Sequence, residues 1–126
     1  MSATEALCRL EDISDGGAKG LWSDSRGRDL VLAVRKGQQV FAYLNLCPHY
    51  GRSRLGWKKD EFLNGNRTKI VCSAHGALFN IEDGACVVGP CLGQALAPLD
   101  VEVVGGEVHA RLEDLPPREA GQRLSA

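Results

Sequence analysis

The sequence predicts an all-β domain of short antiparallel strands. Apolar runs of strand length recur along the chain, Gly-containing turns separate them, and helical periodicity is negligible. These observations place the chain among folds whose core lies between sheets.

The elements follow in order. Ala6-Leu-Cys-Arg-Leu-Glu-Asp-Ile13 alternates and reads as an edge strand, Asp15-Gly-Gly-Ala18 as a turn, and Gly20-Leu-Trp-Ser23 as a short strand pairing back on the first. After a turn at Asp24–Asp29, Leu30-Val-Leu-Ala-Val34 is continuously apolar, as expected of a strand buried on both faces. Lys36-Gly37 turns it into Val40-Phe-Ala-Tyr-Leu44, giving a hairpin. Arg52 to Lys69 holds six basic and two acidic residues with Trp57 and Phe62; its expected features are a helical turn over Trp57–Leu63 and a reversal at Asn64-Gly65-Asn66. It reads as a solvated loop seated by its aromatics, with a basic rim suited to an acidic patch on a partner. Ile70-Val71 is a brief strand. Ala77–Ile81 and Ala85–Val88 form a hairpin about Asp83-Gly84, which Gly89-Pro90 ends. Leu96 to Pro98 is extended, and Val101–Val104, Gly105-Gly106 and Glu107–Arg111 make a closing hairpin. The polar residues 113–126, with Pro116-Pro117, read as a flexible tail.

With 126 residues, 44% of them hydrophobic, the chain suits one domain with a real core and no second catalytic domain. A net charge of -1 gives no reason to expect nucleic acid or an anionic membrane as partner. No signal peptide or membrane span is visible, so a cytoplasmic location is expected. Five cysteines are a poor disulfide framework. Cys8 reads as core; Cys86 and Cys91 read as small buried thiols, with a bridge between them as the alternative.

The chemistry is concentrated in Cys47-Pro-His49-Tyr50-Gly51 and Cys72-Ser-Ala-His75-Gly76, with 22 residues between His49 and Cys72. Each half offers one thiolate and one imidazole. Such mirrored pairs can hold one tetrahedral zinc ion or a two-iron, two-sulfide cluster with both Cys on one iron and both His on the other. Zinc fingers usually group like ligands together, whereas each pair here is mixed and only Pro48 separates the first two ligands.

With the following Phe79 and the later Gly89-Pro90, the pattern resembles the Rieske [2Fe–2S] family: Cys-x-His-x-Gly, a spacer, Cys-x-x-His-Gly-x-x-Phe, then a Gly-Pro loop. The resemblance runs from about Leu30 to Val108. It implies a Rieske-type antiparallel β-sandwich over residues 1–112, with a small cluster-binding subdomain at about 45–92. It also implies one [2Fe–2S] cluster bound by Cys47, His49, Cys72 and His75, with no catalytic residues.

Two ferric ions, two sulfides and two thiolates sum to zero charge. A four-Cys cluster is two units more negative, and the exchange of two Cys for His raises the potential from about −400 mV to roughly −150 to +300 mV. Within that window the resemblance implies the low end. High-potential relatives bridge the ligand loops by a disulfide and carry Ser and Tyr hydroxyls after the second His-Gly. The matching positions here are Arg52 and Ala74, then Ala77 and Phe79, which have neither thiols nor hydroxyls.

The function expected is that of an electron carrier, not an enzyme, between a flavin-containing ferredoxin reductase and a terminal oxygenase. An oxygenase catalytic subunit needs two further His for its mononuclear iron, and of three His only His109 remains. His109, in an alternating strand, reads as a surface residue. The alternatives are a small accessory subunit of the nitrite-reductase type and a zinc-stabilised interaction module.

Overall fold

The molecule is built around the strand that contains its most apolar run. In a computed structural model, described for residues 3–46, 62–72 and 76–116, this strand is β3 (Asp29–Lys36). Val31, Leu32, Ala33 and Val34 are at most 1% exposed. Successive strand side chains point to opposite faces, so β3 serves two cores. Val31 and Ala33 pack with Leu21, Ala42, Leu99 and Ala110, whereas Leu32 and Val34 pack with Tyr43, Phe62, Ile70 and Phe79. Full burial of an aliphatic side chain stabilises by roughly 1.5–3 kcal/mol.

The layers on either side follow. The middle sheet has the order β2-β3-β4-β8, with β2 (Ala18–Ser23), β4 (Gln39–Leu44) and β8 (Pro98–Leu99). The outer base sheet is β1-β10-β9, from β1 (Thr4–Arg9), β9 (Val101–Val104) and β10 (Glu107–Arg111). The small sheet is β5-β6-β7, from β5 (Lys69–Cys72), β6 (Ala77–Asn80) and β7 (Cys86–Val88). All pairings are antiparallel. Three antiparallel sheets with almost no helix make the all-β fold that the resemblance implies.

Three hairpins form where the turns predicted them: β3–β4, β6–β7 and β9–β10. Two expectations are corrected. Gly20–Ser23 belongs to β2 and pairs with β3, not with the first strand. The run Ala6–Ile13 is not one strand: β1 ends at Arg9, and Leu10–Asp12 is a 3-10 turn that directs Leu10 and Ile13 into the core. Strand β1 does lie at a sheet edge, paired with β10.

Of residues 113–126, those up to Pro116 are described. Leu112–Asp114 is a 3-10 turn, Leu115 packs on the base core, and Trp22 Nε1 donates a 2.7 Å hydrogen bond to the Pro116 carbonyl. Trp22 adopts φ 58° within β2, a left-handed conformation uncommon for a bulky residue.

Candidate metal centre

Of the four predicted ligands, Cys72 lies within the described residues; Cys47, His49 and His75 lie outside them. So do Trp57 and most of the proposed helical turn beside it. Phe62 is 3% exposed and seats the end of that segment in the core, as expected.

The first predicted pair follows β4 in the chain. Asn45, just past the strand, is the buried polar residue among those described. Its backbone N–H donates to the Leu30 carbonyl (3.0 Å) and its Nδ2 to the Asp29 carbonyl (3.0 Å). Both bonds tie the chain to β3 two residues before Cys47.

The second pair begins at the last residue of β5. Cys72 is fully buried and faces Ala77 across the β5–β6 register. The Cys72 carbonyl accepts a 2.8 Å hydrogen bond from the Gly76 N–H. The Gly89-Pro90 loop packs on the same place. Gly89 has φ +103°, and a Cβ there would lie 2.8 Å from the Ala77 α-carbon, so that only glycine lets the two backbones approach so closely.

Cys72, the predicted ligand that the structure describes, has a setting that fits a metal-bound thiolate. Cys72 shares its core with Phe79, Ile81, Cys86, Cys91 and Leu96, where an isolated thiolate would be strongly disfavoured. Coordination to a cationic metal deprotonates a thiol and removes that penalty. Cys86 is a thiol, its Sγ 3.3 Å from the Val88 carbonyl oxygen, so it forms no bridge to Cys91. Cys8 is half-buried against the base core, and burial raises its pKa above the usual thiol value, followed by the effect of Asp12.

His109 sits on the outer base sheet, away from β5. Its side chain is 22% exposed, with Nε2 3.1 Å from Glu107 Oε1 and Nδ1 3.5 Å from Thr4 Oγ1. It is therefore engaged with its neighbours and more covered than a plain surface histidine. Among the described residues, six large hydrophobics are exposed; four of them, Leu46, Val87, Val88 and Leu92, fall next to Cys47 or around the Gly-Pro loop. No helix among the described residues is long and apolar enough to cross a membrane.

One residue that the sequence did not single out is Tyr43. It is 3% exposed, and its hydroxyl donates a 2.7 Å hydrogen bond to the Ile81 carbonyl, joining β4 to the turn of the small sheet. Its place in an apolar strand disguised it as ordinary core.

Known proteins agree with this architecture. The chain is similar to the ferredoxin of carbazole 1,9a-dioxygenase from Nocardioides aromaticivorans IC177, at 26% identity and TM-score 0.66 over 87% of this chain and 98% of that one. It is similar to the Sphingomonas yanoikuyae B1 ferredoxin, at 25% identity and TM-score 0.64 over 90% and 100%. A structure described as a complex of reduced oxygenase and oxidized ferredoxin in carbazole 1,9a-dioxygenase contains a chain 25% identical, with TM-score 0.66 over 93% and 100%. No curated protein matches the chain in sequence. The pattern of the Rieske [2Fe-2S] domain matches residues 4–110. With that match spanning most of its length, and with a fold and a buried Cys72 that agree with it, the chain belongs to the Rieske [2Fe-2S] domain family, whose members bind one [2Fe–2S] cluster.

Proposed function

We propose that the protein is a low-potential Rieske ferredoxin that passes single electrons from a flavin-containing reductase to a terminal oxygenase. Cys47, His49, Cys72 and His75 are its cluster ligands. Bound there, the cluster accepts and returns one electron at a time. The chain's own part is to hold the ligand loops, to exclude water with the Gly89-Pro90 loop, and to dock with its partners. The observation that carries this reading is a set of exposed hydrophobics: Leu46 adjoins Cys47 in sequence, and Val87, Val88 and Leu92 flank the Gly89-Pro90 loop, as suits a surface used for brief association. The similarity to ferredoxins named with carbazole 1,9a-dioxygenase supports an oxygenase as the acceptor. The absence of hydroxyls at Ala77 and Phe79 supports the low potential.

The test is spectroscopic and kinetic. Purified protein should be reddish-brown, with the reduced electron-spin signal of a cluster having mixed His and Cys ligands. It should also restore electron flow between a nicotinamide-dependent flavoprotein reductase and a Rieske oxygenase. A colourless, zinc-containing protein would overturn the reading.

A further inference from the structure

The two ligand pairs are carried by different sheets. The first follows β4 of the middle sheet, and the second begins at the end of β5 in the small sheet. A cluster that takes one Cys and one His from each pair therefore depends on how the two sheets are held together.

Tyr43 is a buried link between them. Its ring lies against Gly84, where an added Cβ would come within 2.7 Å of Tyr43 Cε1, and its hydroxyl donates to the Ile81 carbonyl at 2.7 Å. Residue 84 is glycine with φ +73°, so the turn is shaped to receive the ring. Cys47 follows Tyr43 by four residues, and Ala77, the cross-strand neighbour of Cys72, precedes Ile81 by four. Each arm is four residues long, at most about 13 Å, so a small rotation at the link would move the ends of the arms apart. Other contacts at this joint are the Leu96 N–H to Gly84 carbonyl bond (2.9 Å) and the surface pair Lys36–Glu82.

We infer that Tyr43 is a positioning residue for the cluster: its hydroxyl fixes the β6–β7 turn to the strand that delivers Cys47, and so sets the spacing between the two ligand loops. This rests on the ferredoxin reading above. Tyr43 is buried and acts through the two arms.

The experiment compares Tyr43→Phe with Val31→Ala in the holoprotein. Phe keeps the ring against Gly84 and removes the one hydrogen bond. Val31→Ala weakens the base core, which excludes Cys72. Three quantities are read: thermal midpoint by far-UV circular dichroism, g values of the reduced protein by electron paramagnetic resonance, and the rate of bleaching with an iron chelator. Tyr43→Phe is expected to shift the g values and to bleach about tenfold faster, the factor corresponding to one buried hydrogen bond. Val31→Ala should lower the thermal midpoint with wild-type g values. Tyr43→Phe with wild-type g values and bleaching no faster than Val31→Ala would overturn the inference, leaving the ferredoxin reading intact. A wild-type protein without a Rieske spectrum would overturn both.

Discussion

A methyl group on Gly89 would sit 2.8 Å from the α-carbon of Ala77, the residue opposite Cys72 in the β5–β6 pair. The obstacle is backbone, and φ at Gly89 is +103°, so an alanine there is strained twice. Gly89→Ala should destabilise the protein by roughly 3 kcal/mol or more and lose cluster absorbance. Gly93, with φ +90° but open space within 4 Å of where a Cβ would stand, is the control: Gly93→Ala should cost only about 1–2 kcal/mol and keep its colour. Thermal melts followed at visible and far-ultraviolet wavelengths test the pair. Equal losses in both variants would show that the close approach at Ala77 carries no weight.

Replacement of the proposed ligands should separate the cluster from the fold. Cys47→Ser, His49→Ala, Cys72→Ser and His75→Ala should each abolish the normal visible spectrum. The β-sheet signal in far-UV circular dichroism should survive, because the base core of Val31, Ala33, Ala42, Leu99 and Ala110 contains none of them. His109→Ala should retain the spectrum, since His109 is bonded to Glu107 on the outer base sheet. A bleached His109→Ala protein would show that the ligand assignment is wrong.

What the sequence revealed was local. Turns at Lys36-Gly37, Asp83-Gly84 and Gly105-Gly106 announced three hairpins because glycine and its neighbours set backbone angles over a few residues. The unbroken run Leu30–Val34 announced a strand with two buried faces, for the same short-range reason. Pairing over long distances was hidden. Thr4 meets Arg111 and Tyr43 meets Pro98, and no periodicity within either segment encodes its partner. Gly20–Ser23 was misassigned to β1 on proximity in the chain, whereas its pairing with β3 completes the cover of Val31 through Leu21. At the site, spacing and the family resemblance single out Cys72 as a candidate ligand, and its burial at a strand end is compatible with that role. The close contact of Gly89 with Ala77 and the bond from Tyr43 to Ile81 are tertiary, and only the folded chain exposes them.

Stability at high pH should report on Tyr43. Burial, then the negative charges of Asp83 and Glu82, push its hydroxyl up to about 12. The folded protein therefore holds this proton more tightly than the unfolded chain, whose tyrosines titrate near pH 10. The contribution is fully present below about pH 10 and is lost as pH rises toward about 12, by roughly 3 kcal/mol in all. Tyr43→Phe, which has no proton to lose, should show a shallower decline over that interval, although it starts less stable at neutral pH. Urea denaturation at a series of alkaline pH values tests this, and the difference between the two proteins cancels the titration of lysines and thiols. Parallel decline of the two proteins would rule out a special role for this hydroxyl.

The potential should respond to a hydroxyl restored beside the ligand loop. Ala77 faces Cys72 across the strand pair, and Phe79 lies two residues further along β6; both are fully buried. Neither side chain can donate a hydrogen bond to sulfur, so the additional negative charge of the reduced state goes without that stabilisation. The unmodified protein should accordingly have a midpoint near about −150 mV. A hydrogen bond to a charged group contributes about 1.5–3 kcal/mol, and 59 mV corresponds to about 1.4 kcal/mol for one electron, so Ala77→Ser should raise the midpoint by roughly 60–130 mV. Phe79→Tyr should act in the same direction but at a cost in stability, because an oxygen must be fitted into a filled core of Ile70, Ile81 and Cys86. Protein-film voltammetry on the three proteins measures all of this. A wild-type midpoint above roughly +100 mV, at the high-potential end of the Rieske window, would overturn the low-potential assignment. An unchanged midpoint in Ala77→Ser, with its cluster intact, would show that position 77 does not reach the sulfur atoms.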